Sequence, residues 1–253
     1  EADEAVTVGV SMGTTSGEPT LVEYFNDHEL AGDRAGIGAQ FIEQYPSHVL
    51  AANVASEFGC AGPNLVIPTA CAAGNYAVAY AADQIRTGRA DVMLAGGSDA
   101  FSRITYTGFA RLGAVAPERC QPFDRLRKGM VPGEGAAILV LESRDRARAR
   151  GARIYGELAG YGLTCDANHM TAPQGDGAAR AMQLAMADAG VVAVNEQLPA
   201  LSAVTTRPLS EQIDADDAST TRCTSPGASL PTAIRWPVGS SKERGTTAAG
   251  HVC

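Results

Sequence analysis

The fold of this chain is decided by the stretch Gly62-Pro63-Asn64-Leu65-Val66-Ile67-Pro68-Thr69-Ala70-Cys71-Ala72-Ala73-Gly74-Asn75-Tyr76-Ala77-Val78. Gly62-Pro63 is a turn signal, and the apolar run from Leu65 to Ile67 predicts a short buried strand. The Ala-rich segment from Ala72 to Ile85 predicts a helix that ends at Thr87-Gly88, because glycine suits a C-terminal cap. Cys71 is therefore expected at a strand-to-helix junction.

A cysteine at this junction is placed to react. The positive end of the helix dipole and the free backbone N–H groups of the first turn both favour the thiolate over the thiol. The alternative is that Cys71 is a small buried hydrophobe, one of six cysteines in the chain, as free cysteine often is. The local pattern by itself leaves both interpretations open.

Several motifs together resemble the β-ketoacyl synthases, the condensing enzymes of fatty-acid and polyketide synthesis. Thr69-Ala70-Cys71-Ala72-Ala73-Gly74, preceded by Gly-Pro and an apolar strand, is similar to the nucleophile signature of that family. The resemblance covers Val6 to about Gly190 without a break. It continues through Phe109-Ala110-Arg111-Leu112-Gly113-Ala114, Pro122-Phe123-Asp124, Gly133-Glu134-Gly135-Ala136 and Asp166-Ala167-Asn168-His169-Met170-Thr171-Ala172-Pro173.

The resemblance implies a function and a site. Cys71 would be the catalytic nucleophile of a β-ketoacyl-[acyl-carrier-protein] synthase, which forms an acyl-cysteine and condenses it with a malonyl thioester by decarboxylation. The implied partner is an acyl carrier protein with phosphopantetheine-bound acyl and malonyl groups, and neither a cofactor nor a metal is implied. Family members pair the strand equivalent to Leu65 to Thr69 across a homodimer, so a homodimer or a ketosynthase partner is expected.

The order of elements predicts an α/β protein. By resemblance it is a thiolase-like layered αβαβα fold, incomplete at both ends. We expect residues 1–150 to be the remainder of the N-terminal half with the nucleophile, residues 151–194 to begin the C-terminal half, and residues 195–253 to form an atypical, irregular tail. Predicted strands are Ala5–Val10, Asp91–Ala95, Ile138–Leu141 and Ile154–Leu158, and further helices are His48–Phe58 capped by Ser47, Ser143–Arg150 and Gly177–Ala189.

The histidines that the resemblance implies for condensation are missing. Where a His-Gly-Thr-like motif is expected, at about 202–209, the chain reads Ser-Ala-Val-Thr-Thr-Arg-Pro-Leu. His251 has no partner and is not expected to be catalytic, and His169 matches a family histidine that lies near the pocket but outside the catalytic pair. We therefore expect condensation to be lost in this chain. A reading-frame shift near Gly190 would explain why the resemblance ends there.

Two other function classes remain open. One is a noncatalytic ketosynthase-like fragment or partner subunit, which the missing histidines favour. Cys71 favours descent from a catalytic member, since noncatalytic partner subunits that resemble this family replace that cysteine. The other is a thiolase that uses acetyl-CoA, which ranks lower because Phe123-Asp124 and Gly133-Glu134-Gly135 look like the ketosynthases.

Composition excludes several further classes. The 253 residues carry a formal net charge of −8, which argues against nonspecific nucleic-acid binding. No apolar run approaches the ~20 residues that span a bilayer, and with no signal sequence evident a cytoplasmic protein is expected. No C-x-x-C pair suggests a zinc ribbon or a redox dithiol. The Gly- and Thr-rich turn from Met12 to Gly17 lacks the patterns of phosphate-binding loops.

Overall fold

A computed structural model of the chain describes residues 6–33, 38–169, 172–191 and 232–234. These residues divide into two compact units, the first ending at Arg146 and the second beginning at Ala147. The first unit contains β1 (Val8–Gly13), α1 (Pro19–Leu30), α2 (Ala39–Gln44), α3 (Val49–Phe58), β2 (Asn64–Ile67), a 3-10 turn (Ala70–Ala72), α4 (Ala73–Arg86), β3 (Val92–Asp99), α5 (Arg103–Arg111) and β4 (Gly135–Glu142). The chain continues with α6 (Arg144–Ala149), β5 (Leu158–Tyr161), α7 (Gly175–Asp188) and β6 (Thr232–Ile234).

The first unit is built on a four-stranded mixed sheet in the order β2-β1-β3-β4. β1 is parallel to both β2 and β3. β4 is antiparallel to β3, with Val92 opposite Glu142 and Asp99 opposite Gly135. The sequence did not indicate this reversal, because the long connection after β3 has no pattern that shows its direction of return.

Three strands extend at least three residues further than predicted at one end, and for β4 (predicted Ile138–Leu141) that end is the start at Gly135. β1 runs to Gly13, so Met12 and Gly13, which were expected in the turn, belong to the strand. β3 continues through Gly96-Gly97 to Asp99, beyond the predicted end at Ala95. A Cβ at Gly96 would overlap the carbonyl oxygen of Ala137 on β4. Glycine here allows a close backbone approach within the ladder and does not mark a turn.

The helix predictions are largely confirmed. α3, α4 and α7 lie where expected, and each is followed by a glycine with positive φ, at Gly59, Gly88 and Gly190. Ser143 caps α6, since its Oγ accepts from the Arg146 N–H at 3.3 Å. The Ser47 cap is wrong, because His48 is the residue before α3 and no side-chain cap hydrogen bond forms there.

Buried residues lie on both faces of the sheet of the first unit. Val10 and Met12 of β1 and Ala51 of α3 are buried together. Because side chains alternate along a strand, Ser11 and Gly13 lie on the opposite face. That face is covered by α4, whose buried side is made mostly of alanines.

In the second unit β5 pairs antiparallel with β6, with Leu158 opposite Ile234. This pairing places the strand at 158–161 and not at Ile154–Leu158 as predicted. Most of the tail from residue 195 onward lies outside the described residues, and its predicted irregular structure therefore stays a prediction. The described part of that tail, Thr232–Ile234, is a strand that the sequence did not indicate.

None of the helices within the described parts of the chain combines the length and the apolar character needed to cross a membrane.

Candidate active site

Cys71 lies at the predicted junction between strand and helix. β2 ends at Ile67, and Cys71 is the middle residue of the 3-10 turn that leads directly into α4. The Ala73 N–H closes this turn by donating to the Ala70 carbonyl oxygen. The thiol-bearing residue is exposed to solvent, so the alternative of a small buried hydrophobe is wrong for this position.

The residue before Cys71 has a strained backbone. Ala70 has φ of +53°, in the left-handed region that residues other than glycine rarely adopt. Such a conformation costs on the order of 1–3 kcal/mol and persists only where the surroundings enforce it. It turns the chain sharply between β2 and α4, so that Cys71 is presented at the start of the helix.

The carboxyl ends of the three parallel strands meet beside this turn. Ile67 of β2 is opposite Gly13 of β1, and Gly13 is opposite Gly97 of β3. Ligands of open α/β sheets commonly bind outside this edge of the strands. Cys71 follows β2 at this edge, which is the location expected for a reactive group.

The loop after β1 is held by a network centred on Thr14 and Asp99. The buried Thr14 hydroxyl donates to Asp99 Oδ1 at 2.9 Å and accepts from the Gly17 N–H at 2.9 Å. The Thr15 N–H donates to the same Asp99 oxygen at 2.8 Å, and the Thr14 N–H donates to the Ile67 carbonyl at 3.3 Å. Because a carboxylate already occupies the donors of this loop, the geometry does not favour a phosphate there.

The structure describes the surroundings of His28, His48 and His169. His28 Nδ1 lies 3.0 Å from the Tyr24 carbonyl oxygen, and its Nε2 lies 3.9 Å from Asp33 Oδ2. His48 precedes α3, and the exposed His169 forms a bridge with Ala172 in the second unit. Within the described part of the first unit, the hydrogen-bond and ion-pair contacts of His28 are to Tyr24 and Asp33 and not to Cys71. His251 lies outside the described residues.

Two motifs that carried the family resemblance have structural roles in the loop between α5 and β4. Asp124 Oδ1 accepts from the Leu126 N–H at 2.7 Å, directly after Phe123, which has φ of +63°. Glu134 Oε2 accepts from the Phe101 N–H at 3.1 Å, which ties the start of β4 to the end of β3. Through these hydrogen bonds the two carboxylates hold the loop.

An ion-pair cluster joins α1 to the start of α5. Arg103 donates to Glu23 at 2.9 Å and to Asp27 at 2.6 Å, and Glu23 also accepts from the Ile104 N–H at 2.9 Å. The hydrogen bonds from Arg103 and then from Ile104 hold the pKa of the Glu23 carboxyl below its ordinary value. The same carboxylates raise the pKa of the Arg103 guanidinium. In the described part of the chain, no cluster of three His, Cys, Asp or Glu side chains could hold a metal ion.

Comparison with known proteins relates this geometry to a family. The model described as "Beta-ketoacyl synthase, N-terminal domain" matches residues 1–147. The chain is 44% identical over 186 residues to nodulation protein E of Rhizobium meliloti, covering 73% of this chain and 45% of that protein. It is 38% identical over 200 residues to 3-oxoacyl-[acyl-carrier-protein] synthase 2 of Vibrio cholerae, covering 75% of this chain and 48% of the relative.

A solved structure shares the fold. The structure described as the ishigamide ketosynthase/chain length factor superposes with a TM-score of 0.72 at 44% identity, over 74% of this chain and 47% of that one. The chain thus spans about half the length of the proteins it matches.

Proposed function

This chain belongs to the β-ketoacyl synthase family, and we propose that it is an acyltransferase in which Cys71 accepts an acyl group from a carrier-protein thioester. The observation that carries the proposal is the position of Cys71: exposed, directly after a strained residue, at the start of α4 and at the carboxyl edge of parallel strands. A nucleophile needs this combination of access and fixed geometry.

The proposed step is a thioester exchange. The Cys71 thiolate attacks the thioester carbonyl carbon, a new carbon–sulfur bond forms, and the bond to the donor thiol breaks. The donor leaves as a thiolate and takes up a proton from solvent. Negative charge develops on the carbonyl oxygen during the attack, and backbone N–H groups at a helix start are suited to stabilise it.

The donor is an acyl carrier protein with a phosphopantetheine-bound acyl group. A Vibrio cholerae relative is named for acyl-carrier-protein substrates, and the thiol of that prosthetic group supplies the leaving group that the exchange requires. The pathway is fatty-acid or polyketide synthesis.

Acylation and condensation place different demands on the chain. Condensation needs donors positioned where charge develops on the decarboxylating malonyl thioester. The chain has four histidines, and its sequence around 202–209 lacks the His-Gly-Thr-like motif. We propose that this 253-residue chain forms the acyl-cysteine but condenses poorly.

Acyl loading tests the proposal. The intact protein is incubated with an acyl thioester and its mass increase is measured, first for the wild type and then for Cys71→Ala. We expect the wild type to gain one acyl group and Cys71→Ala to gain none. Cys120→Ala is the matched control, because Cys120 is also exposed but lies in the loop after α5, and it should label like the wild type.

Equal labelling of wild type and Cys71→Ala would remove the nucleophile assignment. A complete absence of labelling would favour the second candidate, a noncatalytic partner subunit. That candidate is supported by the missing histidine motif and by the similarity to a structure that includes a chain length factor.

We also propose a twofold pairing through β2. It is an edge strand of the described sheet, and Leu65 on it is exposed. An unpaired edge presents backbone groups and apolar side chains that a second copy can cover. Sedimentation should show a dimer, and a clean monomer would count against this pairing.

A further inference from the structure

We propose that Gly13 is a positioning residue for Cys71, and this inference rests on the proposed function of that cysteine. Gly13 is the last residue of β1, is buried, and lies on the sheet face covered by α4. Its φ is not in the left-handed region, so the turn does not require glycine for its backbone conformation. The requirement comes from space.

There is no space for a side chain at residue 13. A Cβ there would overlap the carbonyl carbon and oxygen of Ala73 and the backbone nitrogen of Gly74, all closer than the 3.0 Å that real Cβ atoms respect. These atoms belong to one peptide group, at the start of α4. Because they are backbone atoms, no rotamer change can move them, and a methyl group would have to displace the helix start itself.

This peptide group is linked directly to the turn that holds Cys71. The Ala73 N–H donates to the Ala70 carbonyl oxygen, and Cys71 lies between these two residues. Moving the Ala73 backbone therefore pulls on the hydrogen bond that closes the turn around Cys71. It also acts on Ala70, whose left-handed backbone depends on its surroundings.

Gly97 of the adjacent strand β3 makes a similar but looser contact with the start of α4. Gly97 is opposite Gly13 in the ladder, and a Cβ at residue 97 would lie 3.2 Å from the Gly13 oxygen and 3.6 Å from the Gly74 Cα. Two strand ends thus leave room for the first turn of α4. The start of α4 therefore lies close to the backbone of both strands.

Two glycines on the same elements make matched controls. Gly9 lies at the other end of β1, where a Cβ would approach Met93 Sδ at 2.5 Å and the Pro63 oxygen at 2.7 Å. Gly9→Ala therefore strains the same strand far from Cys71. Gly74 lies within α4, where a Cβ would meet nothing within 4 Å. Gly74→Ala adds a methyl group next to the contact without any overlap.

The experiment measures the reactivity of Cys71 in the folded full chain. Each variant is treated with iodoacetamide, and the peptides that contain Cys71 and Cys120 are quantified by mass spectrometry over time. The ratio of the two alkylation rates reports on the Cys71 turn, because Cys120 is exposed in a distant part of the sequence. Melting temperatures of the same samples report on global stability.

Gly13→Ala should lower the Cys71 to Cys120 ratio about tenfold, since alkylation requires the thiolate and a displaced helix start no longer presents its backbone N–H groups to it. Gly9→Ala should lower the melting temperature and leave the ratio unchanged. Gly74→Ala should also leave the ratio unchanged and should raise the melting temperature slightly, because alanine is favoured over glycine within a helix. If Gly13→Ala does not fold, Gly97→Ala should lower the ratio by a smaller factor. An unchanged ratio in the folded variant, or an equal fall in Gly9→Ala, would overturn the proposal.

The acyl-loading rate separates this proposal from the proposed function. Gly13→Ala should slow the acylation of Cys71 at saturating thioester while the half-saturating thioester concentration stays the same, because the altered group is not at the binding surface. If wild-type Cys71 is not acylated at all but Gly13→Ala still lowers its alkylation ratio, the function fails and the positioning role stands. If acylation occurs but Gly13→Ala affects neither reaction, the positioning role fails alone.

Discussion

Helices α4 and α5 both begin shortly after a strand of the four-stranded sheet, yet seven residues of α4 are buried and none of α5 is. α4 lies against the sheet through alanines, with backbone of β1 touching its first turn. α5 is held at its start by the Ser102 cap and the Arg103 ion pairs, while Ile104 remains 50% exposed. The helix that presents Cys71 is thus positioned by steric contact, and its counterpart by polar bonds.

The difference matters because the two kinds of contact respond differently to change. A packed interface of small residues leaves no space for added atoms, so a larger side chain there displaces a whole helix or strand. Exposed ion pairs exchange readily with water and contribute little individually. We therefore expect the region around Cys71 to tolerate substitution poorly, and the α5 region to tolerate it well.

The largest effect is expected when a buried alanine of α4 is replaced by leucine, and the matched control is the same replacement of an exposed alanine of α5. Ala77 is 0% exposed on α4, and Ala77→Leu should lower the free energy of unfolding by roughly 3 kcal/mol, the upper range for overpacking a core. Ala110→Leu on α5, where Ala110 is exposed, should stay within about 0.5 kcal/mol. Denaturant unfolding measures both. Equal losses in the two variants would contradict the distinction between the helices.

An intermediate effect is expected from the polar network beside the strand ends. Thr14→Val keeps the side-chain shape but removes the hydroxyl that bonds Asp99 and the Gly17 N–H. The loss should be about 1–2 kcal/mol, because a buried donor or acceptor is left without its partner. Thr107→Val on α5, at an exposed position, is the control and should be close to neutral. A neutral Thr14→Val would mean that the network does not fix the loop after β1.

The smallest effect is expected at the α5 ion pairs, and it depends on pH. The folded-state pKa of Glu23 is lowered from its ordinary 4.5, so its contribution to stability is complete above that value and disappears as the pH falls through the lowered pKa. Glu23→Gln should therefore lower the melting temperature slightly near pH 7 and converge with the wild type in acid.

Glu57→Gln, at an exposed position on α3, serves as the control for the loss of one negative charge. A Glu23→Gln difference that grows as the pH falls would have the wrong sign for this mechanism.

Sequence alone was sufficient for the family, the α/β, thiolase-like fold class and the location of Cys71. The matched family model and the solved ketosynthase confirm the first two. The strand-to-helix junction was readable because each of its signals is local: a turn at Gly62-Pro63, an apolar run, an Ala-rich helix and a terminal glycine. Local signals of this kind also located α3 and α7.

The bounds of two strands could not be predicted from the local sequence. The extension of β3 through Gly96-Gly97 depends on β4, which pairs with it from about 40 residues away. The shift of β5 depends on Thr232–Ile234, which has no strand pattern of its own. In both cases the partner strand, and not the local propensity, decided where the element lies.

Local signals were enough to place Cys71 between a strand and a helix, because those signals come from neighbouring residues along the chain. Only the tertiary structure decided how that thiol is held. The left-handed backbone of Ala70 and the contact of Gly13 with the Ala73–Gly74 peptide arise where segments about 60 residues apart meet. Backbone atoms of the helix start make that contact. The sequence shows only that residue 13 is a glycine, and no local pattern indicates which segment lies against it.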